Sequence, residues 1–175
     1  MKFDLKNTEK VDRFLNSVFI YPTDTVYGIG CDAEDEKLVE KIREIKKRDA
    51  KPFSVIAPSK KWILENCEVD ESLIDKYLPG AYTLILKKKK KDFLSSVSDT
   101  EFLGVRIPDC DFTKVLQKTG KPIVTTSVNF SGENPANKIN EIDSEILDKV
   151  DFVVDVGELS GTPSTIVKDG KEIKR

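Results

Sequence analysis

Several groups of polar residues in this 175-residue chain have the types and spacing for chemistry at phosphates or amino acids. Thr23-Asp24-Thr25 follows the apolar run Val18 to Tyr21 across Pro22 and leads to Tyr27, Gly28 and Gly30. The pattern predicts a strand that breaks at Pro22, with the two glycines letting the backbone turn closely. Strand ends that present hydroxyls and N–H groups are where open α/β sheets hold ligands, although such a stretch also serves as plain strand-to-turn punctuation. Lys46-Lys47-Arg48, followed by Lys51, ends a helical pattern. Arginine offers a polyphosphate a planar fork and lysine a point charge, but cations also favour helix C-termini and stay solvated there. Ser127-x-Asn129, with Ser131-Gly132 behind it, leaves the run Ile123 to Thr126. That cluster suits a nucleotide or amino-acid pocket, and it equally suits a turn. Arg106 stands between Val105 and Ile107, so in a strand it points away from the face those two share. Ser164-Thr165 precedes another apolar pair, and Arg175 closes the chain as a weak candidate.

The chain has no histidine. That removes the usual general base near neutral pH, the commonest transition-metal ligand and every histidine-dependent triad. An enzyme of this composition works by positioning substrates and neutralising charge, the style of chemistry at phosphates. A net charge of −2 argues against a protein whose main task is coating nucleic acid. Cys31, Cys67 and Cys110 are far apart and read as reduced thiols, neither disulfide frame nor zinc site. No run approaches the ~20 apolar residues of a membrane span, and the N-terminus lacks a signal-peptide core, so a cytoplasmic location is expected. Lys87 to Lys91 reads as a solvated turn or a charge-protected edge, with an RNA backbone contact as the alternative. Trp62, Phe14, Phe19, Tyr77 and Phe112 fall on apolar faces and read as core.

The elements that must position these groups alternate along the chain. Helices are predicted over 35–48, 59–66 (capped by Ser59), 71–78 (stopped by Pro79-Gly80), 112–119 and 144–150. Strands are predicted over 18–21, 53–57, 82–86, 104–108, 122–126 and 152–156. A closing hairpin, 164–167 with 172–175, turns at Asp169-Gly170. The reading is α/β, a single domain over 1–175 with a twisted sheet mixing parallel and antiparallel strands, flanked by helices.

Together these residues resemble the YrdC-domain family, the threonylcarbamoyl-AMP synthases. The markers are Tyr21-Pro-Thr-Asp-Thr-Val-Tyr-Gly28, Lys46-x-Arg48, Leu78-Pro-Gly-Ala-Tyr-Thr-Leu-Ile-Leu86, Gly104-Val-Arg-Ile-Pro108, Thr126-Ser-Val-Asn-Phe-Ser-Gly132 and Pro163-Ser-Thr-Ile-Val167. The resemblance implies a concave basic face and a reaction in which L-threonine, bicarbonate or carbon dioxide, and ATP give threonylcarbamoyl-AMP and pyrophosphate. It implies that Lys46, Arg48, Lys51, Arg106, Ser127, Asn129, Pro135 and Arg175 border ATP, with Lys46, Arg48, Ser127 and Asn129 catalytic. Thr25, Thr125 and Ser164 would border threonine, beside Ile56 and Cys110, where many relatives carry histidines. Magnesium would be held mainly by the ATP phosphates, with no metal site on the protein itself. A downstream transferase complex would pass the group to tRNA for threonylcarbamoyladenosine modification, with at most a weak tRNA contact and no membrane. The family's longer form adds a second domain after this one. Two other readings keep their place: an RNA-binding module, and carbamoyl-adenylate chemistry as in hydrogenase maturation.

Overall fold

The computed structural model describes residues 13–48 and 51–173. Its strands are β1 (Phe19–Tyr21), β2 (Gly28–Gly30), β3 (Ser54–Ile56), β4 (Cys67–Glu68), β5 (Tyr82–Lys88), β6 (Phe102–Arg106), β7 (Ile123–Ser127), β8 (Phe152–Val153), β9 (Thr165–Lys168) and β10 (Lys171–Ile173). The helices are α1 (Glu36–Lys46), α2 (Lys60–Asn66), α3 (Glu71–Tyr77), α4 (Asp111–Gln117) and α5 (Ser144–Leu147). One sheet runs in the order β10-β9-β5-β6-β3-β7-β2-β1-β8, and β4 pairs with β5 off that path. The pairs β1–β8, β3–β6 and β5–β9 are parallel and the rest antiparallel, so the sheet is mixed.

Local chemistry sets the element ends. Asp35 accepts from the N–H groups of Lys37 and Leu38, capping α1, and Ser59 accepts from Trp62 N–H, capping α2. Gly28 and Gly30 do not turn the chain; they form β2, between β1 and β7. The glycine at 30 answers a close approach: a Cβ there would lie 2.1 Å from the Val124 carbonyl oxygen.

Alternation along the strands sorts the side chains onto two faces. Ile20, Ile29, Val55, Leu84, Val105 and Val124 form one face, buried under Val39, Ile42 and Ile45 of α1, Ile63 of α2 and Ile74 of α3. The opposite face divides. At the β1 end, Phe19, Tyr21, Ile56 and Ile123 pack against Phe14 and against Phe112 and Leu116 of α4. Tyr21 and Phe112 stack with ring centroids 5.6 Å apart. Further along, where β3, β6 and β7 pair in register at Ser54, Gly104 and Thr125, the face is polar. Glycine at 104 gives Ser54 its room, since a Cβ there would meet the Ser54 Oγ at 2.2 Å.

The lysine run is exposed, as expected, at Lys87 and at Lys89 to Lys91, and departs from expectation at Lys88. Lys87 and Lys88 lie in β5, which is paired on both sides. Lys88 is buried, its Nζ donating to the carbonyls of Phe93 (3.0 Å) and Ser98 (2.9 Å). Lys87 pairs with Glu68, and Lys89 donates to the Leu64 carbonyl. A buried ammonium needs such partners, and here they order the turn that follows β5. Phe14, Phe19, Tyr77 and Phe112 are core, and Trp62 packs half-buried against Phe93. The three cysteines are free thiols.

Candidate active site

The polar half of the second face floors a cavity of about 220 Å³. Hydroxyls dominate its lining: Thr23 and Thr25 after β1, Ser54 at the start of β3, Thr83 in β5, Thr125 and Ser127 in β7, and Ser164 before β9. Arg106, the last residue of β6, is the one charged side chain among the described lining residues. It is 7% exposed, and its Nη2 meets Asp24 Oδ1 at 2.6 Å. The Asp24 side chain is 11% exposed, and its second carboxylate oxygen accepts from the Asp109 N–H at 2.9 Å. Burial lowers the Arg106 pKa and the Asp24 charge opposes that, and an arginine remains a cation under either influence. Its Nε is buried without a hydrogen-bond partner. An N–H of this kind, on a cation whose other end is neutralised, is a ready donor for an anionic ligand group.

The hydroxyls form two pairs on opposite sides of this arginine. Thr23 and Thr25 share a hydrogen bond of 2.8 Å, as do Thr83 and Ser164. Over them runs the segment 155–164, which leads from β8 to β9. Tyr27 tacks it down by donating to the Gly157 carbonyl (2.7 Å) and accepting from Val156 N–H (3.0 Å). Asn137 Nδ2 donates to the carbonyls of Leu159 (2.7 Å) and Gly161 (3.0 Å). Gly161 lies so close over Thr25 that a Cβ on it would sit 2.3 Å from the Thr25 carbonyl oxygen.

Of the residues singled out from sequence, the structure brings Thr25, Arg106, Thr125, Ser127, Pro135 and Ser164 into this cavity. Lys46 lies beside it, 1% exposed, with its Nζ donating to the carbonyls of Ser127 and of Asn129 (2.6 Å). The lysine thus holds the loop that leaves β7. Burial, then the neighbouring Arg48 charge, pushes its pKa down to about 7. Asn129 donates to the carbonyls of Phe130 and Glu133, and its own Oδ1 is buried without a partner. Arg48 lies over the Phe53 ring, donates to the Pro52 carbonyl and lines a separate cleft of about 560 Å³ with Arg43 and Lys47. Lys51 is exposed nearby. Ile56 is buried under α4, and Cys110 precedes that helix with its Sγ 3.3 Å from Thr113 Oγ1. Arg175 lies outside the described residues. Thr23 belongs to the first polar group read from the sequence, whereas Ser54 and Thr83 were not singled out there. Their signal is a hydroxyl residue interrupting an apolar strand pattern, as in Phe53-Ser-Val-Ile and Tyr82-Thr-Leu-Ile, and it becomes a site only when the strands pair.

Comparison with known proteins gives this geometry a family. A Methanocaldococcus jannaschii protein provisionally named threonylcarbamoyl-AMP synthase is 40% identical over 156 residues, covering 86% of this chain and 73% of its own length. The threonylcarbamoyl-AMP synthase of Pseudoalteromonas atlantica is 32% identical over 164 residues, covering 88% and 86%. Among solved structures, Sua5 of P. abyssi superposes with a TM-score of 0.83 at 25% identity; the match takes in 97% of this chain and 55% of that one, so the chain spans about half of Sua5. No helix among the described residues is long and apolar enough to cross a membrane. The family model for Sua5, YciO and YrdC, described as "Telomere recombination", matches residues 15–175, and the chain belongs to that family.

Proposed function

We propose that this protein is an L-threonylcarbamoyladenylate synthase, which makes threonylcarbamoyl-AMP and pyrophosphate from L-threonine, bicarbonate or carbon dioxide, and ATP. The observation that carries the reading is the Arg106 guanidinium, clamped by Asp24 with Nε unpartnered, at the floor of a hydroxyl-lined cavity. Two relatives, 40% and 32% identical over their aligned residues, bear that enzyme's name. At about 220 Å³ the cavity is smaller than the ~300–1,000 Å³ of typical small-molecule sites, so it suits the amino acid and leaves the nucleotide to extend outward.

In this reading Thr25, Thr125 and Ser164 border threonine. The resemblance also sets Ile56 and Cys110 beside threonine, although neither lines the cavity. Lys46, Arg48, Lys51, Ser127, Asn129, Pro135 and Arg175 border ATP. The threonine amine captures carbon dioxide as a carbamate, a carbamate oxygen attacks the α-phosphorus, and pyrophosphate leaves. The nucleophile is an anion of the substrate itself, so a chain without histidine needs no strong general base. Asp24 is committed to Arg106 and the Asp109 N–H, and no group of three His, Cys, Asp or Glu among the described residues is placed to hold a metal. Magnesium would enter with ATP, held on its phosphates. The product would pass to a transferase complex acting on tRNA. Of the lysine run, Lys88 is buried and out of reach of RNA, while Lys87 and Lys89 to Lys91 stay exposed.

The test is pyrophosphate release from ATP, magnesium and bicarbonate, with and without L-threonine. Release that needs both threonine and bicarbonate is expected. Release that is indifferent to threonine, or none at all, would overturn the proposal.

A further inference from the structure

The segment 155–164 crosses the cavity on few attachments, and their distribution singles out Asn137. Upstream, the Tyr27 hydroxyl holds Val156 and Gly157. Downstream, Ser164 shares a hydrogen bond with Thr83, and the Thr165 N–H donates to the Ala81 carbonyl at 3.0 Å. Between these ends, among the described residues, every main-chain hydrogen bond of 158–163 goes to Asn137. The Leu159 N–H donates to the Asn137 carbonyl at 2.9 Å, and Asn137 Nδ2 donates to the carbonyls of Leu159 and Gly161. Both carbonyls only accept, so it is the amide nitrogen that faces them. The span is otherwise held by the exposed Lys138–Glu158 ion pair, a weak contact, and by the half-buried Leu159 side chain against the core. Glu158, Ser160 and Thr162 are exposed.

Asn137 is itself fixed from behind. Its N–H donates to Glu141 Oε2 at 2.8 Å, and the carbonyl of the preceding Ala136 accepts from the Tyr27 N–H at 3.0 Å. A firm post therefore stands at one wall, and the span hangs from it over Thr25, with Pro163 and Ser164 beyond in the cavity lining. Asn137 is not itself among the lining residues. We propose that Asn137 is a positioning residue that seats this roof on the cavity and so sets how tightly the amino acid is held, without touching it. The proposal rests on the synthase reading for the identity of the amino acid. With the amide donors gone, the span lifts from Thr25 until a ligand draws it back, and closing it again weakens binding. The loss then falls on the amino acid's KM and leaves kcat standing.

The test measures steady-state turnover of the full chain, with L-threonine and ATP varied in turn. Asn137→Asp keeps the size of the side chain and replaces its N–H donors by an oxygen. Its threonine KM is expected to rise by about tenfold, the scale of two lost hydrogen bonds, with kcat and the ATP KM within about twofold of wild type. Gly161→Ala lifts the same span by another route, its Cβ meeting the Thr25 carbonyl oxygen, and is expected to give the same signature. Combined, the two changes should cost less than the product of their separate effects, since a span already raised has little more to lose. A merely structural role for Asn137 would lower the urea midpoint and the active fraction and leave the threonine KM in place. That result, or a kcat and an ATP KM that worsen in step with the threonine KM, overturns the inference while the synthase reading survives. Wild-type protein with no threonine-dependent turnover would overturn both.

Discussion

Asp24 and Arg106 neutralise each other inside the cavity floor, with side chains 11% and 8% exposed, so removing the carboxylate strands a buried guanidinium. Asp24→Asn keeps the shape and deletes the charge. It is expected to destabilise the fold by about 3 kcal/mol, measured by urea unfolding. Threonine-dependent turnover is expected to fall by more than tenfold as the arginine loses its orientation. A variant as stable and active as wild type would show that the pair does neither job. Much of this site was legible at the level of single residues: Thr25, Arg106, Ser127 and Ser164 stand out in the polar groups on or beside strands, Thr125 enters through the family resemblance, and the cavity gathers all five. Lys46 shows the limit. Its sequence neighbourhood resembles a phosphate clamp, yet its ammonium is enclosed by two main-chain carbonyls. Which way a lysine on a helix end swings depends on the loop packed against it, and that loop lies some eighty residues away in sequence, at Ser127 to Asn129.

At the scale of elements, the polar half-face exists because β6 carries glycine where its neighbour β3 carries Ser54. Gly104→Ala would push a methyl to 2.2 Å from the Ser54 Oγ and is expected to cost about 1–3 kcal/mol. Adding Ser54→Ala should return part of that loss, and strict additivity of the two changes in denaturant melts would count against the contact. Helices and most strands were readable from periodicity and caps, Ser59 among them. β2 was not, because Gly28-Ile29-Gly30 carries turn residues by composition. Its strand form depends on the backbones of β1 and β7 closing around it, a tertiary demand that local propensity does not record. Within the lysine run only Lys88 departs from the solvated-turn reading, since its partners lie on the turn it helps to fold.

Over the whole molecule, buried titrating groups set how stability responds to pH. The Lys46 ammonium has its pKa lowered to about 7 in the folded chain, against an ordinary 10.5, by burial and by Arg48. Below pH 7 both states carry the proton and the cost of burying it is complete. Above pH 7 the unfolded chain binds more protons than the folded one, so stability rises with pH. Burial pushes the Cys67 thiol up to about 11 and Cys31 higher still, and above the ordinary thiol value of 9.0 these reverse the slope. A gain of about 2 kcal/mol between pH 7 and 9 is expected from chemical denaturation, and Lys46→Met should flatten it. The segment that crosses the cavity has a consequence of another kind. It starts beside β8, the last strand of the sheet, and ends at β9, seven inter-strand gaps away. Seven gaps of ~4.8 Å make an arc of roughly 34 Å along the sheet. The eleven steps from Val154 to Thr165 reach at most ~36–40 Å. A flat sheet of that width would leave the tether almost no slack, yet three residues already carry it from Gly161 over Thr25 to Ser164 beside Thr83, so the sheet bows beneath it and the segment spans that bow as a string does.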